Sequence, residues 1–347
     1  MKKTAAVFST VLIIFLMLSC VSENARGELS AGTAADEKQS GSVFAMDTYM
    51  TVTAYGANAE KGIEAARNEL TRLEKLWAVT DENSEIYALN HSGGLETEIS
   101  PETEELLRFA KDMNSETGGA LDISIYPVLK AWGFTTGEYR VPEESELSRL
   151  LVKKGADRIT VSRGRASVPD GTEIDLGSVA KGYAGDLAAK AIKEQGVTSA
   201  LLDLGGNIRT VGERKPDGSG WKVGIRDPQG NGLIGTVEIG EGNVITSGGY
   251  ERYFERDGVI YEHILDPETG RPAKSGLASS TVIGSDGKLC DALSTSLYVM
   301  GLEKAIALWK SRNDFDMILI TDEDGIYVTE GIENCFKASS GKVTVIR

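Results

Sequence analysis

Residues 174–207, IDLGSVAKGYAGDLAAKAIKEQGVTSALLDLGGN, hold the two periodicities that decide the fold. From about Ser178 to Gly196, the residues Ala180, Ala184, Leu187, Ala191 and Ile192 share one face at the 3.6-residue spacing of an amphipathic helix. A strand-like run follows at once, at 198–204, and more occur at 221–226, 233–239, 243–246, 259–265 and 277–284. Upstream, Met50, Val52 and Ala54 alternate as in a half-buried strand over Thr48–Tyr55. Ile63, Ala66, Leu70, Leu73 and Trp77 then predict a helix, and Ser100 caps another that opens on Pro101 and stops at Gly118 and Gly119. Downstream, helices are expected over 291–300, closed by Gly301, and near 303–311, followed by a hairpin joining 317–321 to 326–329 and a last strand at 343–346. No strict βαβ beat runs through this order. The expected class is α+β, a mostly antiparallel sheet with packed helices.

The first forty residues have another character. Lys2 and Lys3 precede an apolar run from Ala5 to Leu18, the layout of a secretory signal peptide over 1–19. Such a run is too short to span a bilayer comfortably. Cys20, directly after Ser19, sits like the lipidated cysteine of a bacterial lipobox, although Met17 stands where leucine is usual. A plain signal peptide cut nearby is the alternative. Residues 20–42, rich in Ala, Gly, Ser, Glu and Lys, read as a flexible tether with a reach of about 25 Å. Residues 43–347 remain for the folded domain.

Net charge is −15, and removing residues 1–19, which hold two lysines and no acid, moves it to −17. That excess argues against nucleic acid and against an anionic membrane face as ligand. Any site for a pyrophosphate must therefore rely on local positive elements. Besides Cys20 only Cys290 and Cys335 are present; they could form one disulfide but not a disulfide scaffold. With only His91 and His263, zinc spacing is absent, and a bound metal would be a hard ion held by oxygen.

Three segments carry candidate chemistry. In Asp291-Ala-Leu-Ser-Thr295 the acid and the hydroxyl lie four residues apart, on one helix face, and would leave most of a Mg²⁺ shell open to water and phosphate. For the segment alone, a helix cap with a satisfied hydroxyl is the plain reading. In Ile174–Tyr183 a strand-like end passes through Gly177 into a helix whose first turn carries Lys181, suited to an anion. A solvated lysine is the plain reading. His263 precedes the turn Asp266-Pro-Glu-Thr-Gly270 and titrates in the range a proton acceptor requires, but one histidine is also an ordinary structural residue.

Taken together, these segments resemble the ApbE family of flavin transferases, also described as flavin-trafficking lipoproteins. The resemblance rests on Met46-Asp-Thr-Tyr49, Ser84–Asn90, Thr117–Asp122 through Trp132-Gly-Phe134, Ile174–Asp186, Leu204–Asn207, Trp221–Pro228, Thr246–Tyr250, His263–Pro267 and Asp291–Thr295, in the family's order. It implies an architecture related to the T-fold. It also implies a Mg²⁺-dependent FAD:protein FMN transferase that splits FAD and links FMN through a phosphoester to a threonine of membrane redox pump subunits of the Rnf and Nqr type. The implied place is extracytoplasmic, lipid-anchored, on the periplasmic side of the inner membrane. Carried over by position, Asp291 and Thr295, with the Ser178 backbone carbonyl and assistance from Ser294, would hold Mg²⁺. Lys181 and Asp175 would contact FAD, together with Met46, Gly119, Ala120, Leu121, Asp122 and Leu265. His263 would activate the acceptor hydroxyl. Thr80 stands where the family often has a tyrosine that stacks on the flavin or adenine, which affects the holding of FAD. A Mg²⁺-dependent FAD pyrophosphatase and a non-catalytic flavin-binding periplasmic lipoprotein are the rival readings.

Overall fold

The computed structural model describes residues 37–230 and 232–347. Residues 1–36, on which the expected signal peptide, the expected lipidated Cys20 and most of the expected tether fall, lie outside the described residues.

Nine strands build the main sheet: β1 (Lys38–Ala45), β2 (Thr48–Tyr55), β3 (Ala200–Asp203), β4 (Asn207–Val211), β5 (Gly242–Gly248), β6 (Leu277–Gly284), β7 (Asp316–Thr321), β8 (Ile326–Thr329) and β9 (Val343–Ile346). They neighbour one another in the order in which they occur along the chain, and every pair is antiparallel except the last, β8 with β9. The α+β expectation with a mostly antiparallel sheet is met.

The four longest helices among the described residues are α1 (Ala59–Trp77), α2 (Pro101–Glu116), α3 (Ala180–Glu194) and α4 (Gly287–Met300). The periodic residues of the sequence become the core. Met50, Val52 and Ala54 of β2 meet Ala66, Leu70 and Leu73 of α1, Ala184 and Ile192 of α3, and Leu293 and Leu297 of α4. Each fully buried leucine here contributes roughly 1.5–3 kcal/mol. The other sheet face is covered by a small sheet of Trp221–Arg226, Leu233–Ile239 and Phe336–Ala338, whose Val223, Ile225 and Val237 pack on Val244, Ile318 and Ile320. A third apolar cluster, Val128, Trp132, Phe134, Phe254 and Leu265, joins the helix Tyr126–Trp132 to the hairpin Tyr253–Arg256/Val259–Glu262.

Three sequence boundaries shift. Residues 38–42, read as tether, form the first half of β1 and pair with β2. Ser-Gly-Ser shows no apolar alternation, yet an edge strand is held by its backbone, and the absence of a side chain at Gly41 admits Ile63 of α1. Helix α4 begins at Gly287, not 291, with Asp286 as the capping residue that accepts from the Leu289 amide. Asp291 is therefore not a cap; it sits in the second turn. The strand expected over 259–265 ends at Glu262, leaving only an isolated bridge between Leu265 and Pro272 beyond it.

Helices α3 and α4 cross backbone to backbone at Gly182 and Gly287: a methyl on Gly182 would overlap the Gly287 carbonyl oxygen, and one on Gly287 would overlap that of Gly182. We expect Gly182→Ala to lower stability by about 1–3 kcal/mol through this overlap. Denaturant titration checks the value; an unchanged midpoint would show that the helices can part freely.

Candidate active site

A cavity of about 1010 Å³ is lined by the β1–β2 turn, the residues leading into α3, the loop after β3, the solvent-facing side of Trp221–Arg226, the segment after β5, residues 263–267 and α4. Its size lies at the upper end of the roughly 300–1,000 Å³ usual for small-molecule sites.

Asp291 is almost wholly buried, at 4% exposure. The close crossing at Gly182 lets its Oδ2 accept the Gly182 amide at 2.8 Å, so the acid of α4 satisfies an N-terminal donor of α3. Its Oδ1 accepts from Asn207 Nδ2 at 3.0 Å. Burial pushes the carboxyl above its usual range; the Lys181 charge, the Gly182 amide and Asn207 pull it back. Each oxygen keeps a further lone pair, and both Asp291 and Thr295 line the cavity. Ser247 Oγ lies 3.2 Å from Thr295 Oγ1 and 2.8 Å from Ser294 Oγ.

Ser294 does not reach the cavity. It is fully buried, and its hydroxyl donates to the Asp291 carbonyl oxygen at 2.9 Å. With its hydroxyl hydrogen given to the backbone, Ser294 lies behind Ser247 and steadies it from outside the cavity.

Ser178 and Lys181 line the cavity at the positive end of α3, where Val179 supplies no side-chain cap. Among the described residues no group of three or more His, Cys, Asp or Glu side chains gathers as a metal site. A cation here would be held by one acid plus hydroxyl, carbonyl and water oxygens, the donor set of a hard ion. A buried carboxylate with lone pairs to spare fits that requirement.

His263 enters from the chain segment after the strand Val259–Glu262. Its Nδ1 lies 3.1 Å from the Arg252 carbonyl oxygen. A carbonyl only accepts, so Nδ1 carries the hydrogen and Nε2 keeps a free lone pair. The ring is partly open to the cavity yet walled by protein, and this burial, then the charges of Arg252 and Lys181, bring its pKa down to about 4. At neutral pH it is a neutral imidazole. Phe134 meets it edge-on, with centroids 6.3 Å apart.

Met46, Thr80, Ala120, Leu121, Asp122, Asp175 and Leu265 also line the cavity, whereas Gly119 does not. Gly119 serves the turn after α2, at φ +87 with its amide bonded to the Asn114 carbonyl. Asp122 accepts from the Ser124 amide and hydroxyl. Burial pushes Asp175 up, with the Gly177 amide opposing. Met46 and Asp47 form a two-residue hairpin turn, both left-handed at φ 52 and 55, a conformation usually left to Asn and Gly. The Met46 amide donates to Glu74 Oε1 at 3.1 Å and holds the turn there.

Sequence reading gave no role to Asn207, Ser247, Arg226, Glu251 or Arg252, all on the cavity wall. Asn207 and Ser247 fall in the segments Leu204–Asn207 and Thr246–Tyr250, but their partners lie 84 and 48 residues away. Arg226 stands over the Tyr250 ring at 5.0 Å. Burial pushes Glu251 up, opposed by Lys181, reinforced by Asp291. Cys290 is free and buried, Cys335 free and exposed, so no disulfide joins them. Burial also pushes the Cys290 thiol well up, which keeps it inert.

A mostly antiparallel α+β domain with a cavity that gathers one buried acid, a hydroxyl, a helix N-terminus with its lysine and a neutral imidazole has the set of groups that suits a phosphorylated ligand. The chain belongs to the ApbE family, whose model matches residues 46–319. It is 33% identical over 266 residues to an FAD:protein FMN transferase of Klebsiella pneumoniae, covering 75% of this chain and 82% of that one. It is 30% identical over 325 residues to an FAD:protein FMN transferase of Treponema pallidum, covering 87% and 89%. Among solved structures, the ApbE protein of Thermotoga maritima superposes with a TM-score of 0.80 at 32% identity, covering 86% of this chain and 99% of that one. The flavinyl transferase ApbE of Pseudomonas stutzeri, in its apo form, gives 0.77 at 28%, covering 88% and 98%.

Proposed function

We propose that this chain is a Mg²⁺-dependent FAD:protein FMN transferase. The observation that carries the reading is the convergence of Asp291, Thr295, Lys181 and the free Nε2 of His263 on one cavity large enough for a dinucleotide. The names of its relatives point the same way.

The acceptor hydroxyl, from a threonine of a partner protein, attacks the FMN-side phosphorus of FAD. Its proton passes to His263 Nε2, the bond between the two phosphates breaks, and AMP leaves with the bridging oxygen. A phosphoester joins FMN to the acceptor. Asp291, Thr295 and the Ser178 carbonyl would hold Mg²⁺, which when bound offsets charge on the two phosphates. Lys181 and the α3 N-terminus stabilise the leaving phosphate; without them an acidic protein would repel the substrate. Membrane redox pump subunits of the Rnf and Nqr type are the proposed acceptors. Lipidation at Cys20 would place the enzyme beside them, outside the cytoplasm. Incubation with FAD, Mg²⁺ and such a subunit should give a fluorescent covalent adduct; AMP and free FMN without adduct would mean a pyrophosphatase, and FAD capture without AMP a carrier.

The imidazole gives a pH prediction. A base with a pKa of about 4 is competent throughout the neutral range, so kcat/KM for transfer should stay level from pH 7 to about 5 and fall below that. An acid limb near 6.5, the usual value, would mean that the ring is open to water. The same group adds a stability term that is present above 6.5 and is lost as pH falls through about 4, because the unfolded chain takes up the proton first.

A further inference from the structure

The cavity wall carries five rings, and four of them already contact another ring or a guanidinium. Trp77 lies stacked against Tyr183, centroids 6.0 Å apart at 21°. Phe134 is buried among Tyr139, Phe254 and His263. Tyr250 is covered by the Arg226 guanidinium, and His263 meets the edge of Phe134. The fifth is Tyr49, which lines the cavity, is 67% exposed and packs against no other aromatic ring among the described residues.

Tyr49 is the second residue of β2, immediately after the left-handed Met46-Asp47 turn. Met50, Val52 and Ala54 point into the helical core, so alternation sends Tyr49 to the opposite face, the one that also presents Leu201 and Asp203 to the cavity. Its hydroxyl donates to Ser42 Oγ of the neighbouring strand at 2.6 Å. Thr80, elsewhere on the same wall, offers no ring. An exposed aromatic face at the rim of a cavity for a dinucleotide, on a side chain with only two rotatable bonds to order, favours a flat heteroaromatic ring.

We infer that Tyr49 is the stacking platform for one heteroaromatic ring of the dinucleotide, adenine or isoalloxazine. The inference rests on the reading of FAD as substrate and adds the residue that recognises its ring. Phe44 is the natural comparison. It is the cross-strand partner of Tyr49 and is equally exposed at 67%, but it does not line the cavity.

Binding of FAD, FMN and ADP to the full chain, followed by calorimetry, tests this. Tyr49→Ala should raise the FAD dissociation constant about 5- to 100-fold, the span that base–aromatic stacking covers, while Tyr49→Phe and Phe44→Ala stay within about twofold of the native value. Weakening of FMN but not ADP assigns the flavin to Tyr49; weakening of ADP but not FMN assigns the adenine. Native FAD affinity in Tyr49→Ala overturns the inference. So does a loss confined to the acceptor KM in both Tyr49→Ala and Phe44→Ala, which would make the pair a protein-docking face. Either result leaves FMN transfer standing, whereas failure of the native chain to bind FAD removes the substrate itself.

Discussion

Asp291→Ala should reduce FMN transfer by about 1,000-fold or more, the effect of withdrawing several kcal/mol of charge stabilisation at ~1.4 kcal/mol per decade. The carboxylate has two tasks, and the variants separate them. It ties α3 to α4 through the Gly182 amide and Asn207, and it supplies the one acidic oxygen donor proposed for Mg²⁺. Alanine leaves both donors without a partner, a cost of about 1–3 kcal/mol each, partly offset because burial disfavours the charge that is removed. Asp291→Asn keeps the shape, but an amide nitrogen must then face an N–H donor, so it too should be inactive while remaining folded. A second readout is independent of turnover: Mg²⁺ should raise the melting temperature of the native chain and leave that of both variants unchanged. Turnover with native Mg²⁺ dependence in Asp291→Ala would remove the residue from the site.

His263→Ala should lower transfer by about 10²- to 10⁴-fold, the usual worth of a positioned general base, with the FAD dissociation constant within about twofold of native. The split matters, because the imidazole is proposed to touch the acceptor hydroxyl and not the diphosphate. Loss of FAD binding in step with activity would make His263 a wall residue. Undiminished transfer would place the base elsewhere, and Glu251, a carboxyl that burial pushes up on the same wall, would be the next residue to replace.

Much of the fold was legible because local period and tertiary burial agree. The predicted apolar positions of α1, Ile63, Ala66, Leu70, Leu73 and Trp77, are all buried, and β2 alternates as its sequence does. Two of the three misplaced boundaries trace to glycine: Gly41 inside β1 and Gly287 at the start of α4 weaken the local pattern, yet both are there because a neighbouring element comes too close for a side chain. The site was legible as a set of residue types, not as a geometry. Asp291 and Lys181 stood out as charges, but the bond between the Asp291 carboxylate and the Gly182 amide spans 109 residues, and no local spacing encodes it. Ser294 shows the converse: the family resemblance offered it as an assisting ligand, whereas its hydroxyl donates to the Asp291 carbonyl oxygen and it does not line the cavity.

The most direct measurement of the central claim is to follow AMP and covalent flavin together, with the purified chain, FAD, Mg²⁺ and a redox subunit carrying the acceptor threonine. One AMP should appear for each flavin attached, and substitution of that threonine by valine should stop both. AMP released at the same rate with the valine acceptor, accompanied by free FMN, would contradict the account, because the cavity would then be delivering the phosphoryl group to water.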